Sequence, residues 1–359
     1  MAIQIIRPKF EAGHRIVVIS DIYGQFDAFV RLLAEVHYDN REDYLILLGN
    51  IAEKGPDGLR TLRYVMELCR SRRVYLVTGD LDPVCREIFR PDRNHELLQY
   101  LLRNNSVIRD MCAESGIALN AYANMHAIKL ALREYYADEL DFICNLPHVL
   151  ETDNYVFAHS QILPGNLEEM TPAEVMRGEA FLDKGFSFDR YVVVGHWPTL
   201  RYPENKRNAN PIIQRSRRIV CVDGGMGRLR DGQLNALVIP EYGSDRFTYT
   251  AVDNFPKKSA LNSQAAGMER HLIQFPDNRV KVLNSSGDMC YCRHEKTEKN
   301  YWIPKAFITQ TADGTFTEDY TDYQIRVTYG DVVSVILETS RGTLVKKDGV
   351  TGWYYGLLK

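Results

Sequence analysis

The first eighty residues alternate between short β-branched runs and amphipathic segments. Residues 15–20, 44–48 and 74–77 are apolar runs of strand length, which is typical of strands covered on both faces. Apolar residues recur at helical spacing between these runs, at Phe26, Phe29, Leu32, Leu33 and Val36 and again at Leu59, Leu62, Val65 and Leu68. This β-α-β-α-β order predicts parallel strands joined by right-handed crossovers.

The next part of the chain predicts a helical insert followed by further strands. About residues 82–145 carry periodic Leu and Tyr and few β-branched runs, which favours helices. Strand character returns at residues 155–158, 191–194, 219–222 and 236–239. Two strand clusters around a helical insert predict an α/β fold, built as a layered sandwich over residues 1–252.

The C-terminal part differs in composition. Residues 253–270 are polar and predict a linker. In residues 271–359, the strand-like runs 280–283 and 333–336 are each followed by a Gly and later by a Trp. This weak two-fold repeat predicts an all-β region of two small barrels, and its last part resembles bacterial Src-homology-three-like barrels. We expect the barrels to bind a protein partner, and a β-rich packing or dimerisation module is the alternative.

Bulk composition excludes several classes of protein. The formal net charge is −3, so charge gives no reason to expect binding to nucleic acid. The seven Cys are scattered and predict reduced thiols in a cytoplasmic protein. Cys290 and Cys292 are better explained as alternate positions on a strand than as metal ligands. The first ten residues lack the features of a signal peptide, and no apolar run is long enough to predict a membrane span.

Polar residues follow each apolar strand of the first region, where ligands sit in open α/β sheets. The first three strands end in S-D-I-Y-G, G-N-I-A-E-K-G and G-D-L-D, and the later ones end in A-H-S, G-H-W and D-G-G. Alone, each Asp is more typical of a helix N-cap than of a ligand, and each His is more typical of a buried core residue. As an ordered set, these residues predict one shared site.

This ordered set resembles the phosphoprotein phosphatases within the calcineurin-like metallophosphoesterases. Their motifs read G-D-x-H-G, G-D-x-V-D-R-G and G-N-H-E, followed by two separate His, the second in G-H-T. The resemblance covers roughly the first two-thirds of the chain and implies a metallophosphoesterase-type β-sandwich flanked by helices. It implies metal ligands at Asp21, Asn50, Asp80, His159 and His196. Family members hold two divalent ions that share a bridging carboxylate and activate water.

Three of the departures from the family pattern remove parts of the two-metal site. Tyr23 stands where the family has a metal-binding His, and a phenol with a pKa of about 10 binds a divalent ion weakly. Asn50 replaces the bridging Asp, and a neutral amide is a poor bridge between two dications. Leu81 replaces the general-acid His and cannot transfer a proton. We assign no catalytic residue from the sequence.

The retained ligands predict a smaller metal site. Asp80 stands where the family has Asn, and with His159 and His196 it forms a two-His, one-carboxylate set. We therefore expect one divalent metal ion (Mn, Fe or Zn) rather than two.

Other residues are assigned by their positions in the motifs. Lys54 stands where the family has a phosphate-contacting Arg, and Arg177 lies in a segment similar to W-I-R in bacterial members. Both are expected to bind phosphate, and a solvated helix position is the alternative for Arg177. Glu53, Asp82 and Tyr23 are expected to line the site.

Two functions follow from the resemblance. The favoured hypothesis is a phosphatase-like protein with a degenerate metal site, weakly active or inactive, that binds a phosphorylated protein or a small phosphoester. The alternative is an active, divergent hydrolase of phosphate esters, serine/threonine phosphatase-like, with one metal at Asp80, His159 and His196. An unrelated α/β protein whose strand ends carry these residues by chance is the third hypothesis.

Overall fold

The computed structural model describes residues 2–268 and 270–359. The chain divides into two compact units. The first contains the residues up to Pro198 together with Pro211–Gly227 and Leu234–Val252. The second contains Thr199–Asn210, Arg228–Gln233 and Asp253–Lys359. Each unit has its own apolar clusters.

Over residues 2–252, the first unit contains eleven strands and seven α-helices. The strands are β1 (Ile5–Ile6), β2 (Ile16–Ile19), β3 (Tyr44–Leu47), β4 (Val74–Leu76), β5 (Val149–Glu151), β6 (Tyr155–Ala158), β7 (Tyr191–Val194), β8 (Ile212–Gln214), β9 (Ile219–Cys221), β10 (Leu234–Ile239) and β11 (Thr248–Val252). The helices are α1 (Phe26–Glu35), α2 (Gly58–Leu68), α3 (Asn94–Arg103), α4 (Val107–Glu114), α5 (Met125–Tyr135), α6 (Ala137–Cys144) and α7 (Pro172–Met176).

These strands form two sheets. One has the order β11-β10-β2-β3-β4, in which β2, β3 and β4 are parallel and β10 is antiparallel to β2. The other has the order β1-β5-β6-β7-β9-β8. The expected parallel pairing of the first three long strands is therefore confirmed. The predicted helical insert corresponds to a 3-10 helix, Asp82–Phe89, followed by α3 to α6.

The alternation of side chains along β2 and β3 explains why both runs are fully apolar. Ile16, Val18 and Ile46 belong to a core cluster that also contains Phe157 and Val193 of the other sheet. The intervening residues of both strands pack in a second cluster with apolar residues of the helices, including those of α1 and α2. The two sheets thus pack face to face, with helices on the outer face of the sheet that holds β2, which is the predicted layered α/β sandwich.

The second unit is built mainly from strands. They are β12 (Lys257–Ser259), β13 (Leu272–Ile273), β14 (Val280–Ser286), β15 (Met289–His294), β16 (Asn300–Pro304), β17 (Ile308–Thr311), β18 (Gly314–Thr317), β19 (Tyr320–Thr321), β20 (Val332–Thr339), β21 (Gly342–Lys347) and β22 (Val350–Tyr354). They form sheets β12-β20-β21-β22 and β14-β15-β16 and the pairs β13-β19 and β17-β18. The resemblance of this region to Src-homology-three-like barrels stays a prediction.

The division of the chain differs from the sequence interpretation at residues 253–270. Within the predicted linker, β12 pairs antiparallel with β20, and Ala260 bridges to Leu358. The second unit also includes Thr199–Asn210 and Arg228–Gln233, which the sequence placed in the first domain. The polar composition of β12 suits its place at a sheet edge, where charged side chains are common. Composition alone therefore suggested a linker.

Two smaller expectations can be compared with the structure. Cys290 and Cys292 lie on β15 and are both buried in an apolar cluster, as their alternate spacing suggests. Among residues 2–268 and 270–359, no helix combines the length and the apolar character that crossing a bilayer requires.

A buried ion pair lies inside the second unit. Arg207 and Asp231 are each only 2% exposed, and two guanidinium nitrogens of Arg207 donate to the two carboxylate oxygens of Asp231 at 2.8 and 2.5 Å. Another nitrogen of Arg207 lies 3.4 Å from Oδ2 of Asp319. Because both members are desolvated, each depends on the other for neutralisation.

The substitution Asp231→Ala should destabilise the second unit by about 3–5 kcal/mol, since it leaves the buried guanidinium of Arg207 without its bidentate partner. The matched control Glu338→Ala breaks a pair with Lys258 whose two side chains are 59% and 37% exposed, and it should change stability by less than about 1 kcal/mol. Urea unfolding measures both values, and equal losses in the two variants would contradict the prediction.

Candidate functional site

The candidate site is built from loops that follow neighbouring strands. Backbone hydrogen bonds join these loops: Asp21 N–H donates to Gly49 O at 3.1 Å, and Tyr23 N–H donates to Asn50 O at 2.8 Å. Gly49 has a φ of +86°, and a Cβ atom there would lie 2.2 Å from the backbone nitrogen of Gly79. Glycine is therefore required for the loop after β3 to approach the loop after β4.

The backbone of the site is strained. Five of the residues singled out in the sequence have φ between +49° and +69°: Asp21, Tyr23, Asn50, Lys54 and His196. Non-glycine residues in this region typically cost about 1–3 kcal/mol each and are held only where the surroundings determine the conformation. Such strain commonly gathers at functional sites.

Three ligand atoms converge at the end of the loops. Oδ1 of Asp80, Nε2 of His159 and Nδ1 of His196 are separated by 3.2, 3.3 and 3.4 Å, and together they form a candidate metal site. Neighbouring ligand atoms around a tetrahedral ion with bonds of about 2.0–2.1 Å lie about 3.3–3.4 Å apart. The two imidazoles and one carboxylate therefore fit a single transition-metal ion.

A second contact orients His159. This residue is fully buried, and its Nδ1 lies 2.6 Å from the backbone oxygen of Leu48. An N–H at Nδ1 donating to that carbonyl turns Nε2 towards Asp80 and His196, as the outer partners of metal-binding imidazoles do.

Without a bound ion, the same groups neutralise one another. Burial lowers the pKa of His159, but the negative charges of Asp21 and Asp80 act in the opposite direction and raise it to about 9. Burial disfavours ionisation of Asp80, yet its hydrogen bonds with His159 and His196 hold the pKa of its carboxyl well below the ordinary value. Burial lowers the pKa of His196. A metal ion that binds here would therefore displace a proton from His159.

The Asn50 side chain occupies the centre of the loops. Its Nδ2 lies 3.0 Å from Oδ1 of Asp21, 2.8 Å from Oδ1 of Asp80 and 3.0 Å from the hydroxyl of Tyr23. The backbone N–H of Leu81 donates to Oδ1 of Asn50 at 3.0 Å. This bond fixes the orientation of the amide, because the flipped form would set two donors against each other.

The orientation of the Asn50 amide limits which metal ions the side chains of this site can bind. An amide N–H group cannot ligate a metal ion, so Asn50 offers neither a charge nor a bridging oxygen where the two carboxylates meet. Asp21 is fully buried, and its other oxygen accepts bonds from His196 N–H at 2.8 Å and from the Ser20 hydroxyl. The residues present therefore do not fit a pair of metal ions with a carboxylate bridge.

Two predicted site-lining carboxylates turn away from the metal ligands. Asp82 is fully buried and accepts hydrogen bonds from the backbone N–H groups of Asn50, Ile51 and Gly79. These hydrogen bonds hold the loop after β3 and the loop after β4 together. Glu53 is also fully buried and binds groups of the helical insert. A motif position fixes the loop that carries a residue, but it does not fix the direction of the side chain.

The two predicted phosphate-binding cations differ in position. Arg177 lines a cavity of about 270 Å³ that Asp80 also lines. Lys54 is exposed, its Nζ lies 5.5 Å from the ring centroid of Tyr23, and it is not among the residues lining that cavity. The structure thus brings Arg177, and not Lys54, into the cavity beside Asp80.

The helical insert supplies most of the wall of this cavity, and Tyr100, Val84 and Leu97 are among its lining residues. Sequence reasoning missed these residues, because Tyr and Leu at helical spacing are the ordinary pattern of a packed helix.

A family model described as calcineurin-like phosphoesterase matches residues 14–196, about half of the chain. The chain belongs to this family. Calcineurin-like phosphoesterases hydrolyse phosphoric esters with divalent metal ions. The matched segment contains every predicted metal ligand from Asp21 to His196.

Curated relatives match a shorter segment. The chain is 42% identical over 64 residues to the symmetrical bis(5'-nucleosyl)-tetraphosphatase of Klebsiella pneumoniae, over 18% of this chain and 23% of the relative. It is 39% identical over 66 residues to the enzyme of the same name from Colwellia psychrerythraea, with the same two shares. The match spans about a quarter of each relative, which is too short to carry over what the relatives act on.

The solved structures that the chain resembles are more distant in sequence. A metallophosphoesterase from Sphaerobacter thermophilus is 17% identical, over 67% of this chain and 89% of that one, with a TM-score of 0.41. A protein serine/threonine phosphatase from Saccharomyces cerevisiae is 11% identical, over 71% and 84%, with a TM-score of 0.42.

Glu53 should make stability depend on pH. Burial raises the pKa of its carboxyl to about 7 from an ordinary value of 4.5, against the opposing effect of its hydrogen bonds. The folded protein therefore binds this proton more tightly than the unfolded chain, and stability falls as pH rises from 4.5 to 7. The wild-type free energy of unfolding, relative to that of Glu53→Gln, should fall by about 3 kcal/mol over this range. Urea unfolding at a series of pH values measures it, and a difference independent of pH would refute the prediction.

Proposed function

We propose that this protein is a phosphoric ester hydrolase that works with one divalent metal ion at Asp80, His159 and His196. The observation that carries the proposal is the triangle of three ligand atoms with sides of 3.2, 3.3 and 3.4 Å. A divalent ion at such a site supplies charge stabilisation to phosphoryl oxygens and activates water.

The residues around the triangle have separate tasks in this proposal. Arg177 lines the cavity beside Asp80, where its planar guanidinium can hold two phosphoryl oxygens. The carbonyl of Leu48 holds the imidazole of His159 in the orientation that ligation needs. Asn50 holds Asp21 and Asp80 together through its N–H groups, in a place where a two-metal enzyme has a bridging carboxylate.

The substrate is proposed as a class. Small phosphoesters suit a cavity of about 270 Å³, and phosphorylated proteins could present a side chain to it. The short match to relatives named as bis(5'-nucleosyl)-tetraphosphatases makes nucleoside polyphosphates a further compound class to assay.

A second candidate function is binding of phosphorylated ligands without turnover. The orientation of the Asn50 amide and the presence of Leu81 beside it favour this candidate, because both remove parts of the two-metal mechanism. Metal content and hydrolysis together distinguish the two functions.

Purified protein that has met no chelator should contain about one divalent ion per chain, because the donor set completes one site. His196→Ala and Asp80→Asn should lose the ion and lower hydrolysis of p-nitrophenyl phosphate with Mn²⁺ by at least about 100-fold. His126→Ala, at an exposed position on α5, is the matched control. Two ions per chain would refute the single-metal site, and one ion without hydrolysis would establish the second candidate.

Replacing the central amide tests why the second metal position is absent. Asn50→Asp adds a carboxylate beside Asp21 and Asp80, so the metal-free variant should lose about 1–3 kcal/mol of stability through lost hydrogen bonds and repulsion. Added Mn²⁺ should restore that stability, and elemental analysis should find two ions per chain instead of one. An Asn50→Asp variant that binds no additional metal would show that the amide does not exclude the second ion.

A further inference from the structure

Hydrolysis of an alkyl phosphate creates an alkoxide leaving group that needs a proton. Leu81 stands at the end of the β4 loop and cannot supply one. The cavity beside Asp80 and Arg177 is also lined by Tyr100, Glu87 and Glu96. Glu87 pairs with Arg90 and Arg93 at 3.3 and 3.8 Å, which leaves Tyr100 and the exposed Glu96 as the acids to consider.

Tyr100 differs from Glu96 because its hydroxyl is hydrogen-bonded to a buried carboxyl, that of Glu53. Its hydroxyl donates to Oε2 of Glu53 at 2.8 Å. The other oxygen of Glu53, Oε1, accepts two bonds, from the Ser106 hydroxyl at 2.9 Å and from the backbone N–H of Val107 at 3.2 Å. Glu53 is 0% exposed, so Tyr100 connects a buried carboxyl with a residue position that lines the cavity.

The two oxygens of Glu53 are not equivalent towards a proton. Because Oε1 already faces two donors, a proton on Glu53 belongs on Oε2, facing Tyr100. With that proton in place, the Tyr100 hydroxyl accepts from Glu53, and its own hydrogen becomes free to point elsewhere. Protonation of Glu53 therefore reverses the direction of this hydrogen bond.

The surroundings of Glu53 keep the protonated form accessible near neutral pH. Burial raises its pKa to about 7, and the negative charge of Asp82 adds to this rise, while the donors Tyr100, Ser106 and Val107 oppose it. Cys85 also faces it from the 3-10 helix, and burial raises the pKa of that thiol well above its ordinary value. A carboxyl with a pKa near the working pH is suited to exchange protons during turnover.

We propose that Tyr100 is the general acid for the leaving group and that Glu53 supplies it with protons, an inference that rests on the proposed hydrolase function. Water attacks phosphorus and forms a new P–O bond while the bond to the ester oxygen breaks. The ester oxygen takes the hydroxyl proton of Tyr100, and Tyr100 takes the Oε2 proton of Glu53. The proton released by the attacking water goes to solvent, and a solvent proton restores Glu53 after the alcohol leaves.

Leaving-group dependence tests the relay. Nitrophenolate departs as a stable anion and needs no proton, whereas ethyl phosphate releases an alkoxide that does. Tyr100→Phe should therefore lower kcat/KM for ethyl phosphate by at least about 100-fold and for p-nitrophenyl phosphate by less than about threefold. Glu53→Gln keeps an acceptor for Ser106 and Val107 but has no proton to deliver, so it should show the same selective loss.

Controls separate this role from a structural one. Tyr122→Phe makes the same chemical change at a position that is 96% exposed and should leave both substrates unaffected. Equal loss of both substrates in Tyr100→Phe would mean that Tyr100 only supports the fold, and a selective loss in Glu96→Gln instead would assign the acid to Glu96. Either result would overturn the relay. A wild-type protein that binds metal but hydrolyses neither substrate would overturn the proposed function itself, and the relay with it.

A measurement on metal-free protein does not depend on turnover. Infrared difference spectra taken on either side of neutral pH should show a protonated carboxyl band that is absent from Glu53→Gln. The band should shift in Tyr100→Phe, because the Oε2 proton then loses its acceptor. A band unaffected by Tyr100→Phe would place the proton on the other oxygen and refute the relay.

Discussion

One hydrogen bond, from the backbone N–H of Leu81 to the side-chain oxygen of Asn50, fixes which groups this site offers to a ligand. It directs the amide N–H groups of Asn50 towards Asp21 and Asp80. These two carboxylates come from different loops, and they are joined by hydrogen bonds to one amide instead of by a bridging ligand between two metal ions. The imidazoles of His159 and His196 form the candidate metal site together with Asp80. One neutral side chain thereby holds two carboxylates close together by hydrogen bonds, without adding a charge.

Buried carboxylates in this unit serve two different purposes. Asp82 accepts hydrogen bonds from three backbone N–H groups and thereby holds the loops after β3 and β4 close together. Glu53 accepts hydrogen bonds from side chains and backbone of the helical insert, and burial raises the pKa of its carboxyl to about 7. Both are fully buried, and burial raises the pKa of both carboxyls above their ordinary values. Their donors differ, because Asp82 accepts from backbone N–H groups, whereas Glu53 also accepts from the hydroxyls of Tyr100 and Ser106.

The sequence predicted the sandwich and the meeting of the loops because apolar runs and strand-end polar residues follow from general rules of parallel sheets. It also singled out Asp80, His159 and His196, which lie together in the structure. It missed the direction of Glu53 and Asp82 and the position of Tyr100 in the cavity wall, since these depend on how the helical insert packs rather than on any motif. The strand Lys257–Ser259 was missed for a related reason: edge strands carry the polar residues that otherwise mark linkers.

The left-handed backbone at Asp21 and Asn50 limits which residues this chain can carry at these two positions. Asp and Asn tolerate this conformation better than most other non-glycine residues, because their short polar side chains can bond locally. An exchange between Asp and Asn keeps the loop but changes the charge of the side chain. Such an exchange replaces one side-chain atom on an unaltered backbone, and a single nucleotide change is enough to make it.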